Sequence, residues 1–296
     1  MKVYFKFIIV FALFFGFSAC ENDNGNNGTE TDTISGDVTD INEDNLITYL
    51  IPSPKDMFAF TQEGDLDYSD KVLNPKENAD KFLDTRSKEI GFGIYSADLA
   101  YVAAFNQTGT AGEYLKIVEG LSDKIGLGSV FTESLIARFK DVESKDSLLK
   151  VTNDTYYDIV KYLEDNDRNT SLSLISVGGW IESLYIVTNL QNKYVEDNPT
   201  IQLIADQKNI FENLILSLEQ KKDEESINLT IEDLMPIKTV YDELEVIKIE
   251  SPVDENAGKN QIVIGGSTKI VMTAEQFDKL KESIAKVRNK LAGSNV

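Results

Sequence analysis

The stretch Gly91-Phe92-Gly93-Ile94-Tyr95-Ser96-Ala97-Asp98-Leu99-Ala100-Tyr101 is apolar except for one acid and a few small residues, and glycine interrupts it twice. Glycine inside a helix costs about 1 kcal/mol relative to alanine, so a repeated glycine points to a helix that must approach a neighbour closely. A matching stretch follows at Gly178-Gly179-Trp180-Ile181-Glu182-Ser183-Leu184-Tyr185. Each has an acid three residues before a tyrosine, and a shift of 84 lays Asp98 on Glu182, Tyr101 on Tyr185 and Gln107 on Gln191. This has the form of a degenerate internal repeat. Two helices crossing at their glycines would bring both acids near the middle of the body.

Around these stretches, apolar residues from about Asn45 onward recur mainly at spacings of three and four, which predicts a mainly α multi-helix bundle. Asn74-Pro75-Lys76-Glu77 reads as a helix start leading to about Phe105, and Asn198-Pro199 repeats that device. Thr110 with Glu113 has the spacing of a capping box, and Gly126 is placed to close that helix. Further periodic runs cover Leu135 to Val142, Leu148 to Leu163, Leu172 to Tyr194 and Ile237 to Ile247. After Ser251-Pro252, two short apolar runs flank Gly265-Gly266 and predict a β-hairpin over about 261–272. Thr273 and Gln276 then cap a final helix with Phe277, Leu280, Ile284, Val287 and Leu291 on one face. Residues 45–296 read as one domain, because no linker-like stretch divides them.

Composition removes whole classes of chemistry. The 296 residues contain no His and one Cys, so there is no Ser-His or Cys-His couple, no His metal ligand and no internal disulfide. With 29 basic against 50 acidic residues the net charge is −21, which argues against a nucleic-acid partner. Asp165-Asn166-Asp167-Arg168-Asn169 begins like a calcium loop, but Thr170 and Ser176 occupy the positions that require Gly and Glu. No phosphate loop, dinucleotide fingerprint or nucleophile elbow is present. No metal and no cofactor is expected.

The N-terminus supplies an address. Lys2 and Lys6 precede eleven uncharged residues, Phe7 to Phe17, and then Ser18, Ala19 and Cys20. Residues 1–19 therefore read as a cleaved signal peptide, too short to span a bilayer. Phe17-Ser18-Ala19-Cys20 resembles the bacterial lipobox, with Phe17 where Leu is usual, and implies acylation of Cys20. Membrane lipid would then be the first partner. Loss of residues 1–19 removes two lysines and leaves 27 basic and 50 acidic residues, a mature charge of −23. Residues 20–44 form the lipidated cysteine and an acidic tether. From Glu21 to Asp40 the tether has only Ile34 and Val38 as large apolar residues and no base.

Ile51-Pro52-Ser53-Pro54 with Met57, together with the two glycine-acid-tyrosine phrases, resembles an uncharacterised family of helical lipoproteins from Bacteroidota, over about Asn45 to Ile249. The resemblance implies an outer-membrane lipid anchor, on the periplasmic face or the cell surface, and a helical fold. It carries no catalytic residue. The acids from Glu21 resemble a surface-export signal of that phylum, and Asp32-Thr33-Ile34 resembles its O-glycosylation signal, making Thr33 a glycosylation candidate.

Acids in apolar surroundings must find donors or take up a proton. Tyr95, Asp98, Tyr101, Trp180, Glu182 and Tyr185 are therefore the candidate ligand-binding residues. In one reading they line a pocket for an unknown protein or glycan partner without catalysis. In a second, Asp98 and Glu182 are the acid and base of a glycan hydrolase. In a third, the chain is a purely structural subunit of the envelope with no concave pocket. The acids themselves have a structural alternative that fits the noncatalytic reading, in which they accept bonds from tyrosine hydroxyls or loop amides and fix helix register.

Overall fold

The computed structural model describes residues 53, 57–58, 66–140, 145–249 and 267–293. The signal peptide, Cys20, the tether, Thr33 and the first arm of the expected hairpin, 261–264, lie outside the described residues. The rest forms a mainly α bundle with one antiparallel strand pair and a final helix. Its elements are α1 (Thr85–Ala104), α2 (Thr108–Lys124), α3 (Glu133–Lys140), α4 (Lys145–Asp165), α5 (Asn169–Gln191), α6 (Pro199–Glu219), α7 (Glu225–Asp242), β1 (Glu245–Ile249), β2 (Ser267–Val271) and α8 (Ala274–Leu291).

The centre is the pair α1 and α5, joined through glycine. A Cβ on Gly93 would stand 2.0 Å from the Ile175 carbonyl oxygen, and one on Gly178 would stand 2.0 Å from that of Ile90. The contact is reciprocal: each glycine follows by three residues the isoleucine whose carbonyl faces the other glycine. Gly178 and Ile175 lie 85 residues after Gly93 and Ile90, one more than the register that aligns the acids. Only glycine permits backbones this close. Gly179, by contrast, has ordinary space, with the nearest atom to its Cβ position at 3.7 Å.

Helices α2 and α4 pack on α1, α6 and α8 pack on α5, and α7 lies against α6 and α8. By length and composition α5 could cross a membrane, but most of its apolar surface is covered by these neighbours. The α8 stripe Phe277, Leu280, Ile284, Val287 and Leu291 is wholly buried. Caps legible in the sequence form at α6, where Asn198 Oδ1 accepts from the Thr200 and Ile201 amides, and at α8, where Thr273 and Gln276 close a capping box. Gly126 takes φ 74° after α2.

Three boundaries differ from expectation. Asn74-Pro75 opens a 3-10 helix, Lys76–Lys81, and not α1, which begins at Thr85 with the Asp84 carboxylate accepting from the Ser87 amide at 2.8 Å. Asn74 cannot serve as a cap because its side-chain oxygen accepts from Asn78 and its backbone is engaged elsewhere. The Thr110–Glu113 box does not form, since α2 starts three residues earlier, with Gln107 at the cap position, and Glu113 pairs with Lys76 at 2.7 Å. The run from Ile237 ends as helix at Asp242. Glu245-Val-Ile-Lys-Ile is a strand in which β-branched residues predominate. It is the described partner of β2, with Val246 opposite the buried Ile270, and β2 starts at Ser267, directly after the Gly265-Gly266 pair.

Candidate functional site

The glycine crossing sets Asp98 and Glu182 side by side, and both are completely buried. Their carboxyl groups hydrogen-bond to one another, so one of them must carry a proton. Burial and the repulsion of Glu182 push Asp98 well above the usual carboxylate range, against the pull of Arg288 and the Asn74 amide. Asp98 is therefore the protonated member. The Asn74 N–H donates to both its oxygens at 3.3 Å.

Glu182 is the ionised member because α8 brings a cation to it. Arg288, 3% exposed, donates Nε to Oε2 and Nη2 to Oε1, each at 2.7 Å. Burial raises Glu182 as well, while this bidentate bond opposes the rise. The guanidinium carbon lies 4.4 Å from the centre of the Tyr185 ring, a cation–π contact on the half-buried side of the cluster. Burial disfavours the Arg288 charge, but Glu182 outweighs it and the net effect holds the proton more firmly. The cluster thus has one protonated acid, one carboxylate and one guanidinium, with no net charge.

The remaining candidates do different work. Tyr95 donates to the Pro75 carbonyl at 2.6 Å, while Tyr101 donates to the Ser69 carbonyl at 3.2 Å and accepts from the Ser69 amide at 2.9 Å. Tyr114 donates to the Asn74 carbonyl at 2.8 Å. The tyrosines thus clamp the segment ahead of α1 rather than bond to the acids, whose only loop donor is the Asn74 amide among the described residues. Trp180 points away from the cluster, stacks on Phe211 with centroids 4.9 Å apart and donates Nε1 to Gln207 at 3.1 Å. The six candidates therefore do not converge on one solvent-facing pocket.

Arg288 was not singled out from sequence. The signal was there: it falls four residues after Ile284 within a buried stripe, where an arginine needs an acid. Among the described residues no group of three or more His, Cys, Asp or Glu could hold a metal ion.

One concavity lies beside the cluster. Between α1, α4 and α5 there is a cavity of about 90 Å³ whose walls are almost entirely apolar and include Phe58, Phe92, Ala97, Phe131, Val160 and Trp180. Among the described residues no charged side chain lines it. Half-buried Ser96, Phe139, Tyr156 and Ile175 stand where it reaches the surface. No family model, curated protein or solved structure matches the chain.

Proposed function

We propose that the chain is a noncatalytic lipoprotein of a Bacteroidota-type outer membrane, anchored through acylated Cys20, whose helical domain binds a ligand or partner. The observation that carries the noncatalytic part is the sealing of Asp98 and Glu182. A glycosidase holds its two carboxyls about 5 to 10 Å apart around the substrate, whereas these share a hydrogen bond, have no exposure and are neutralised by Arg288. The concavity beside the cluster is apolar and, among the described residues, uncharged, a lining suited to holding a molecule; the more open hollow lined by Arg138, Asp158, Lys161 and Asp165 lies apart from both buried acids. The N-terminal pattern of Lys2, Lys6, an apolar core and Ser18-Ala19-Cys20 supports the anchor, and residues 20–44 have the composition of a tether.

Metabolic labelling with a palmitate analogue tests the anchor. The wild type takes up label and Cys20→Ser does not; label surviving in the variant refutes acylation at Cys20. Protease shaving of intact cells then assigns the periplasmic face or the cell surface.

A further inference from the structure

The cavity between α1, α4 and α5 has a definite chemistry. Along α1 it runs from Phe92 to Ala100 and along α5 from Leu172 to Ser183, which at the helical rise corresponds to about 12 and about 16 Å. A volume of about 90 Å³ drawn out over that length is narrow. It accommodates a single chain and not the fused or substituted rings that fill ordinary ligand pockets of about 300 to 1,000 Å³. The small residues Gly93, Ala97, Ala100 and Gly179 make the channel on the α1–α5 side, and the rings of Phe92, Phe131 and Trp180 close it.

The polar atoms on the wall narrow the class further. Ser96, Thr152 and Thr155 spend their hydroxyls on carbonyls one turn earlier in their own helices, at 2.7 to 3.0 Å. Ser176 and Ser183 also line the cavity, and neither makes a side-chain hydrogen bond among the described residues. Both are more than nine-tenths buried. Neither oxygen is among the fully enclosed polar atoms that lack a partner, so each stays accessible and can bond a hydroxyl or carbonyl on a ligand. A charged end finds no counter-ion among the described residues of the wall, and the nearby Arg288 and Glu182 are already paired with each other. We infer that this cavity binds one unbranched hydrocarbon chain with an uncharged polar end, such as a long-chain alcohol or a neutral acyl ester. The inference rests on the noncatalytic binding reading above but not on the anchor.

Trp180 is the only tryptophan and forms part of the wall, so its fluorescence reports occupancy. The test titrates the purified full chain with a brominated decanol, with decanoate and decyltrimethylammonium carrying bromine at the same place. The neutral probe quenches Trp180 saturably, unbrominated decanol restores the emission, and both charged probes bind at least tenfold more weakly. Ala97→Phe, which fills the channel, removes the quenching while circular dichroism stays unchanged; Ser176→Leu serves as a second filled variant. Charged probes binding as tightly as the alcohol, or quenching unchanged in a folded filled variant, overturn the ligand class or the site while leaving a binding domain intact. Absence of saturable quenching by every probe defeats the inference, and the binding reading then stands or falls separately on partners that dock outside this cavity.

Discussion

Arg288 holds Glu182 through two 2.7 Å hydrogen bonds across 106 residues of chain, and both side chains are almost completely removed from water. The last helix is thereby tied to the centre of the bundle by an ion pair that water does not screen. Apolar packing of the α8 stripe supplies attraction without direction, whereas the fork of Arg288 accepts one rotation and one height of α8 against α5. Register is what this pair contributes most clearly; its net stability is small, because desolvation offsets much of the attraction.

Glu182→Gln leaves Arg288 buried without its counter-charge. The expected loss is about 3 to 5 kcal/mol, the cost of breaking a buried pair from one side. Glu182→Gln with Arg288→Met recovers a substantial part of that loss, and a double-mutant cycle in chemical denaturation measures the coupling. Strict additivity of the two single changes contradicts the pairing.

Asp98→Asn keeps the shape and the donor of the protonated acid. The folded wild type retains a proton on Asp98 that the unfolded chain releases near its ordinary value of 3.8. Wild-type stability from this group is thus complete below that value and declines as pH rises from there toward the raised folded value. The variant has no such decline. Its melting temperature, compared with wild type, improves as the pH is raised above about 4, with a slope of at most about 1.4 kcal/mol per pH unit. A difference that stays constant across that range refutes the protonated assignment.

The glycines separate by position. Gly93→Ala and Gly178→Ala each drive a methyl group into a backbone carbonyl at 2.0 Å and force α1 from α5, costing about 1 to 3 kcal/mol or more. Gly179→Ala meets only an ordinary contact at 3.7 Å and gains about 0.5 to 1 kcal/mol from helix propensity. Thermal melts of the three variants check the order, and equal destabilisation of all three argues against the crossing.

Much of this architecture was legible because it depends on local rules. The 3.6-residue periodicity and the Asn198 and Thr273 caps act within one or two turns, and the glycines inside α1 and α5 stand out locally even though the backbone each one meets belongs to the other helix. What was illegible depends on distant partners. Asn74 looks like a helix cap in isolation, but Asp98 and Tyr114 claim its backbone from 24 and 40 residues away. Glu245 to Ile249 scans as the end of a helix until β2 is available to pair with it. The two acids were recognisable as a pair, but the cation between them and solvent sits 106 residues beyond Glu182, and nothing near either acid announces it. The apolar cavity was also hidden, since its walls come from helices whose facing residues look like ordinary core.

Because the guanidinium of Arg288 reaches the middle of the bundle from α8, that helix is a keystone and not an appendage. Taking α8 away would strip Glu182 of its counter-charge while leaving it among apolar neighbours, so the damage would start at the centre of the body and not at its edge.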